Sequence, residues 1–252
     1  MKRHAILLAM AASLRAACAA NGGAQATPSA YAGVRGSAHS RCEDDSRPHV
    51  YTPALDFDPR GPDPALTDLM RALSKGDTAQ ACRLIVAGAN VNAPDRDGVT
   101  ALWIAVAQDQ AGVIGALLAA GADPNATDRQ GATLMCSAAQ LGSPATVEAL
   151  VKAGAGINRA DRFGDTPLMC ASTHNPAVVR ILLARGADVN ARDQNGRTAL
   201  MEAGSADVAK LLIQSGADLN AADKLGNTAL SLAARFGPAE VARLLKRAGA
   251  RR

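Results

Sequence analysis

Pairs of apolar residues recur along the last three-quarters of the chain, each shortly before a Gly-Ala step. A glycine just past an apolar pair adopts the left-handed conformation that ends a helix at little cost. Each pair therefore predicts a helix that buries one face and stops at the glycine. The pairs are Leu84-Ile85, Leu117-Leu118, Leu150-Val151, Leu182-Leu183 and Leu212-Ile213.

The Gly-Ala steps are almost evenly spaced, and in five of the six copies an asparagine follows. The separation from one glycine to the next is 33, 33, 32, 30 and 33 residues. A constant period in this range is typical of stacked supersecondary units rather than of one wrapped core. The glycines are Gly88, Gly121, Gly154, Gly186, Gly216 and Gly249.

A polar turn with the pattern Asp-x-x-Gly-x-Thr follows each asparagine. Aspartate and glycine supply the turn chemistry, and the threonine is expected to cap a helix by accepting a backbone N–H. The helix that follows carries an apolar residue such as Leu102 and then, three residues later, an alanine such as Ala105. The small alanine lets neighbouring helices approach closely. The turns span residues 95–100, 128–133, 161–166, 193–198 and 223–228.

One such helix pair cannot hide its apolar face, whereas several in register form a continuous core. We therefore predict an all-α solenoid of about six stacked helix-turn-helix units with short hairpin-like turns. The first unit lacks the initial turn, and the last has Lys246 in place of the second apolar residue of the pair, so both are end caps. The units span 64–93 (N-terminal cap), 94–126, 127–160, 161–191, 192–221 and 222–252 (C-terminal cap).

These motifs resemble the ankyrin repeat, in which Asp-x-x-Gly-x-Thr-Pro-Leu-His, two antiparallel helices and Gly-Ala-x-x-Asn follow one another. The resemblance covers residues 64–252. It implies a module that binds a protein partner through its turn tips and concave helix surface. The family's histidine is replaced in all five turns, so we expect the order it gives the turn network to be absent. The replacing residues are Trp103, Cys136, Met169, Met201 and Ser231.

Two units are shorter than the others. The fourth unit lacks one residue near 173–176, and the fifth lacks three, since residues 203–206 lead almost directly into its second helix. We expect the shortening to disturb the stacking angle there. Two interpretations stay open: a kinked ligand surface at residues 201–207, or a tolerated deletion that loosens the stack.

The turn tips supply the candidate partner-binding residues. Four of five tips carry a cation at the same position: Arg96, Arg129, Arg162 and Lys224. Phe163 and Leu225 stand beside two of them at a position expected to be exposed, and arginine next to an aromatic is typical of binding hot spots. The alternative is that the cations serve only solubility. Trp103 is a candidate for the concave surface or, equally, for the core.

No catalytic or metal-binding motif is recognisable in the sequence. The histidines beyond the N-terminal segment are His39, His49 and His174, and none stands in a motif with a nucleophile. A phosphate-cradling glycine loop, His-Glu-x-x-His and cysteine pairs with metal spacing are all missing from the sequence. We therefore predict a protein that is not an enzyme and has no cofactor or metal.

Cys136 and Cys170 occupy nearly equivalent positions in adjacent units. A disulfide between them is one interpretation, and buried free thiols are the other. We favour free thiols, because units of a solenoid are expected to lie further apart than the ~6 Å between α-carbons that a disulfide prefers.

The first twenty residues have the three parts of a secretory signal: basic Lys2 and Arg3, an apolar stretch at 5–14, and small residues after it. The apolar stretch is too short to span a bilayer. Two cleavage chemistries stay open. Small residues around 17–19 fit ordinary signal peptidase, whereas residues 16–18 resemble a lipobox with lipid on Cys18, although arginine stands where that motif has leucine.

The signal predicts an exported protein, in the periplasm or anchored to the outer membrane, with secretion as the alternative. An apolar N-terminus without a targeting role is the other interpretation. Residues 21–63 are rich in glycine, alanine, serine and proline, and cannot bury enough apolar surface to offset their ordering entropy. We predict a flexible linker there.

Export changes the charge balance. The chain has 27 Lys+Arg and 23 Asp+Glu, and removing the three basic residues of the signal leaves 24 against 23. A nearly neutral chain has no long-range attraction for polyphosphate, and 2% aromatic residues are too few for base stacking. We expect a protein partner, no nucleic acid, and a monomer. Two further roles stay open: an inhibitor or immunity protein against an envelope-targeted toxin enzyme, and a secreted host-directed effector.

Overall fold

The computed structural model describes residues 67–141 and 143–251. The predicted signal peptide at 1–20 with Cys18, the predicted linker at 21–63 and residues 64–66 lie outside the described residues. Within the described ranges the regular structure is helical, apart from two isolated β-bridges that join Thr127 to Thr133 and Ala222 to Thr228. None of the helices in these ranges has the length and apolar character needed to cross a bilayer.

Eleven short helices form the described fold. The two helices of a unit pack against each other, and helices of neighbouring units pack on their counterparts, which produces two parallel rows; the row of first helices is interrupted at the fifth unit, which has no such helix among the described residues. The prediction of an all-α solenoid of helix pairs is confirmed. In chain order the helices are α1 (Asp68–Ser74), α2 (Thr78–Val86), α3 (Ala101–Ala107), α4 (Ala111–Ala119), α5 (Leu134–Leu141), α6 (Pro144–Lys152), α7 (Pro167–Ser172), α8 (Pro176–Ala184), α9 (Ala206–Gln214), α10 (Ala229–Arg235) and α11 (Ala239–Arg247).

The apolar pattern of the sequence reappears as a continuous core. Leu102 and Ala105 on α3 are fully buried, as are Leu168 and Ala171 on α7. From the second unit to the fifth, the first member of each apolar pair is completely buried, while the second is only partly covered. The core therefore runs unbroken along the stack and lies between the two helix rows.

Each recurring asparagine joins its unit to the next one through its side-chain amide. Asn92 Nδ2 donates to the carbonyl oxygen of Gly121 at 2.8 Å, and Asn92 Oδ1 accepts from the N–H of Asp123 at 2.8 Å. Asn125, Asn158 and Asn190 make the same two bonds one unit further on. The phrase Gly-Ala-x-x-Asn thus specifies both the end of a helix and the polar contact between neighbours. We call these bonds the asparagine ladder.

The predicted threonine caps form in three turns and are wrong in two. Thr133, Thr166 and Thr228 each accept from the backbone N–H three residues on. The hydroxyl oxygens of Thr100 and Thr198 are buried without a hydrogen-bond partner within the described part of the chain. Thr198 has no helix to cap, because a single turn follows it.

The residues that replace the family's histidine form local bonds of their own. Cys136 Sγ donates to the carbonyl oxygen of Asp165 in the next turn at 3.4 Å, and Ser231 Oγ accepts from the N–H of Thr228 at 2.9 Å. Met169 Sδ likewise accepts from the N–H of Thr166 at 3.5 Å. At these three positions a thiol, a thioether and a hydroxyl provide turn hydrogen bonds in place of the histidine.

The fifth unit has no first α-helix in the described structure. Its chain makes bonds between residues three apart, from the N–H of Met201 to Thr198 and from that of Glu202 to Ala199. The N–H of Gly204 then donates to the carbonyl oxygen of Ser172 in the fourth unit at 3.0 Å. The shortened unit thus rests directly on the backbone of its neighbour, which closes the stack where the deletion was expected to loosen it.

Candidate functional site

The turn tips lie side by side along one rim, because backbone hydrogen bonds connect each tip to the preceding one. The N–H of Arg129 donates to the carbonyl oxygen of Asp97 at 2.8 Å. Three similar bonds follow: Gln194 to Phe163 and Lys224 to Asn195 have the equivalent acceptor, and Arg162 bonds to Gly131, one residue further along the tip. The donors, together with the equivalent residue of the second unit, form what we call the tip row: Arg96, Arg129, Arg162, Gln194 and Lys224.

Each tip is held in shape by its first aspartate and its glycine. In the fourth unit Asp161 Oδ1 accepts from the N–H groups of Phe163 and Asp165 at 2.8 and 2.9 Å. Gly164 has φ +88°, and a β-carbon there would lie 2.8 Å from the backbone nitrogen of Gln194. Only glycine fits this loop and its close approach to the next tip. The tips are therefore preorganised, which lowers the entropy lost when a partner binds.

All five side chains of the tip row are exposed to solvent. The guanidinium carbon of Arg162 lies 4.5 Å from the centroid of the Phe163 ring, a cation–π contact worth about 0.5–1 kcal/mol at a surface site. Phe163 is consequently half-buried, less open than the sequence suggested. Leu225 in the last tip is 84% exposed, in agreement with the prediction.

Trp103 is not part of the surface. The side chain, on α3, is completely buried and belongs to the hydrophobic core, so it cannot contact a partner bound to the folded protein. No acceptor for its indole N–H is found among the residues that the structure describes. Of the two interpretations of Trp103, packing in the core is correct. The prediction that Trp103 binds a partner is wrong, because the side chain is buried.

A second arginine–phenylalanine contact was missed by sequence reasoning. Phe236 directly follows α10 and is 61% exposed, with the Arg235 guanidinium carbon 4.8 Å from its ring centroid. Leu225 precedes the same helix, so the last full turn-helix unit exposes apolar side chains at both ends of α10. The signal was present in the sequence, since Arg235-Phe236 repeats the dipeptide Arg162-Phe163 outside the periodic apolar positions.

Asp165, in the tip of the fourth unit, is an unusually weak acid. Burial raises its pKa from 3.8 to about 6, and the negative charges of Asp161, Asp193 and Glu202 act in the same direction. Arg197 opposes this rise, and its guanidinium also pairs with Glu202 at 2.8 Å. The carboxylate of Asp165 is therefore held in an environment that disfavours its charge.

We expect Asp165→Asn to stabilise the protein at pH 7 by about 1 kcal/mol. The raised pKa corresponds to at most about 3 kcal/mol, and solvent screening of a half-exposed group reduces that figure. Between pH 3.8 and about 6 the folded state binds more protons than the unfolded state, so wild-type stability falls as the pH rises through this range. Urea unfolding at several pH values measures the effect.

The Asp165→Asn gain should disappear below pH 4, where the wild-type carboxyl is protonated in both states. Asp97→Asn, at an exposed aspartate in the tip of the second unit, is the matched control for loss of one carboxylate and should give no comparable gain at pH 7. Equal stability of Asp165→Asn and wild type at pH 7 would contradict the assigned environment.

Other features of the described surface offer less to a ligand. A shallow depression of about 240 Å³ lies between α9 and α11, lined by Ala206, Glu240, Arg243, Leu244 and Arg247. Its lining is largely charged. In residues 67–141 and 143–251 no three side chains of His, Cys, Asp or Glu are grouped so that they could hold a metal ion. The tip row and the ends of the first helices are therefore the stronger candidates for a partner-binding surface.

Comparison with known proteins agrees with this geometry. The family model "Ankyrin repeats (3 copies)" matches residues 56–128, 110–193 and 175–251. Among solved structures, the crystal structure of EF0377, an ankyrin repeat protein, matches with a TM-score of 0.65 and 27% identity, covering 72% of this chain and 98% of that one. No curated protein sequence matches the chain. Ankyrin repeats are generally protein–protein interaction modules. On its repeated motifs, its stacked helix pairs and these matches, the chain belongs to the ankyrin repeat family.

Proposed function

We propose that this protein is a non-enzymatic binding module of the bacterial cell envelope, which holds a protein partner on its tip row and the adjoining concave surface of its first helices. The observation that carries the proposal is the register of the tips. Exposed side chains from five units stand in one row because a backbone hydrogen bond connects each tip to the one before it.

The size of the tip row favours a macromolecule as partner. Neighbouring helices pack about 8–10 Å apart, so five consecutive tips extend over roughly 30–40 Å. This length suits a folded protein surface and exceeds what a small metabolite covers.

The chemistry of the tip row favours an acidic partner surface. Four of its five side chains are cationic, whereas the first aspartate of each tip is engaged as an acceptor inside the loop. Arg162 stacked on Phe163 is placed near the middle of the row and has the composition of a binding hot spot. We therefore propose that carboxylates of the partner pair with the tip arginines around an apolar contact at Phe163.

The proposed location is the periplasm, reached through the signal predicted at residues 1–20. If Cys18 is lipidated, the chain would be anchored to the outer membrane, with residues 21–63 as the tether. Cells that express wild type or Cys18→Ser are labelled with a radioactive fatty acid and fractionated. Labelled protein in the membrane fraction of wild type, but not of Cys18→Ser, supports the lipid anchor. Recovery of the chain mainly from the culture medium would instead support the secreted effector.

We expect a triple variant, Arg129→Ala/Arg162→Ala/Phe163→Ala, to weaken partner binding about tenfold or more. Loss of hot-spot side chains typically costs more than about 1 kcal/mol each, and 1.4 kcal/mol corresponds to a factor of ten. The mature chain first captures its partner from envelope extract, and the partner is identified by mass spectrometry. Dissociation constants are then measured with the purified partner by calorimetry.

The matched control is Arg180→Ala/Lys210→Ala, which removes the same number of positive charges from exposed positions on α8 and α9. It should bind like wild type. Equal weakening by both variants would mean that net charge, not the tip row, governs binding, and unchanged binding by the triple variant would exclude the proposed surface. A captured hydrolase that loses activity on binding would support the inhibitor role.

A further inference from the structure

Two cysteine side chains meet across the boundary between the third and fourth units. Cys136 on α5 and Cys170 on α7 lie with their sulfur atoms 2.6 Å apart, and the Cys170 thiol donates to Cys136 Sγ. A disulfide bond is about 2.05 Å long, so a movement of roughly half an ångström separates this arrangement from a covalent link. Both cysteines are free thiols, as predicted, but their side chains meet across the boundary between the units.

The close approach has a structural cause. Ala138 on α5 and Ala171 on α7 are completely buried, and these two helices pack against each other. Because neither residue has a side chain beyond its β-carbon, the helices can pack closely along this row. Cys136 and Cys170 take the same position in their helices to within one residue, so close packing brings their thiols together.

We propose that Cys136 and Cys170 are a redox site, at which a reversible disulfide joins the third unit to the fourth. The oxidant is a disulfide-bearing molecule, either a protein or a small thiol compound in its oxidised form. This inference does not depend on the proposed function, because it rests on the contact between the two sulfur atoms.

The reaction proceeds by two thiol–disulfide exchanges. The thiolate of Cys170, the less buried of the two, attacks one sulfur of the oxidant, which breaks the oxidant's disulfide and releases its first thiolate. The thiolate of Cys136 then attacks Cys170 Sγ in the mixed disulfide and releases the second. Two electrons pass from the cysteines to the oxidant, and the two protons that the cysteines lose end on its thiols.

The surroundings favour a stable thiol in the reduced state. The hydrogen bond to Cys136 and burial raise the pKa of Cys170 well above its ordinary value, and the nearby charges of Asp165 and Asp161 add to the rise. Since only thiolates exchange rapidly, oxidation of the reduced pair is slow at neutral pH and becomes faster as the pH rises. The disulfide, once formed, closes a loop whose ends are 34 positions apart and that contains all of α6. Such a link restricts the unfolded chain and stabilises the folded one.

The test uses the purified full chain, first reduced and then incubated folded with excess oxidised glutathione. Remaining thiols are alkylated, the protein is digested, and the peptides are identified by mass spectrometry. We expect one cross-linked peptide that contains Cys136 and Cys170, in wild type and in the matched control Cys82→Ser. The thermal midpoint should rise by about 5–10 °C over that of the reduced protein, and a reductant should reverse the rise.

Two results would overturn the proposal. One is recovery of Cys136 and Cys170 as alkylated thiols from folded, oxidant-treated wild type. The other is the same thermal rise in Cys170→Ser, which lacks one partner and should show neither the cross-link nor the shift. If Cys170→Ser does not fold, the comparison of wild type before oxidation, after oxidation and after reduction decides the question without it.

Discussion

Gly204→Ala is expected to lower the free energy of unfolding by about 3 kcal/mol or more. A β-carbon at this position would lie 1.7 Å from the carbonyl oxygen of Thr173 and 2.8 Å from its carbonyl carbon, far inside contact distance. These atoms belong to the backbone and cannot rotate away. The hydrogen bond from the Gly204 N–H to the carbonyl oxygen of Ser172 would also be displaced, because both features depend on the same close approach. Urea unfolding followed by circular dichroism measures the loss.

Gly115→Ala is the matched control for Gly204→Ala. Gly115 lies within α4, and a β-carbon there would meet no atom within 4 Å. Alanine is the better helix former by about 1 kcal/mol, so we expect this variant to equal or exceed wild type in stability. If both substitutions had the same effect, the contact between the fourth and fifth units would not be what stabilises the shortened repeat.

Trp103→Ala is expected to destabilise the protein by about 4 kcal/mol, within the range observed for large aromatic residues truncated in a core. Its side chain is among the largest that are completely buried, and its removal leaves a cavity between the first units. Far-UV circular dichroism during urea unfolding is the suitable measurement, because the substitution also removes the tryptophan fluorescence of the chain.

Trp103→Phe separates packing from partner binding. It keeps an aromatic ring in the core and eliminates an indole N–H that has no acceptor among the described residues, so we expect a smaller loss, about 1 kcal/mol. Its partner affinity should equal that of wild type, since the side chain is inaccessible. A selective loss of affinity with normal stability would return Trp103 to the binding surface.

The repeat architecture could be predicted because the same structural residues recur in nearly every unit. The glycines that end the helices, the aspartates that shape the tips and the buried alanines all occupy the positions that the period assigns them. The role of the recurring asparagine could not be predicted. The sequence shows only that it recurs after the helix end, whereas in the structure its side-chain amide bonds to the following unit. A contact between units requires knowledge of which atoms face each other across the stack.

Sequence reasoning did less well where the outcome depends on distances between units. The separation of Cys136 and Cys170 was inferred from a typical unit spacing, but the sulfur atoms themselves are in contact. The pKa of Asp165 likewise depends on Asp193 and Glu202, which come from the following unit. Neither property follows from the local motif, because each adds contributions from residues about thirty positions away in the chain.

The candidate site was predictable in outline. The tip cations lie at equivalent positions of a repeated loop, so their alignment along one rim follows from the period alone. The contact between Arg162 and Phe163 does not follow, since it depends on how a flexible side chain folds back over a ring. The pair at Arg235 and Phe236 was overlooked because it falls after a helix, where no repeated motif draws attention to it.

The asparagine ladder bears on how this protein can change in length over evolutionary time. Every rung connects a unit only to its immediate successor, and the rungs persist although the residue separation they bridge shrinks from 29 to 26 along the chain. Gene duplication of one complete unit would therefore supply its own rung and extend the rim by one tip. The recognition surface can thus change length by whole units, and the loss inside the fifth unit is accommodated at Gly204, where the backbone itself closes the gap.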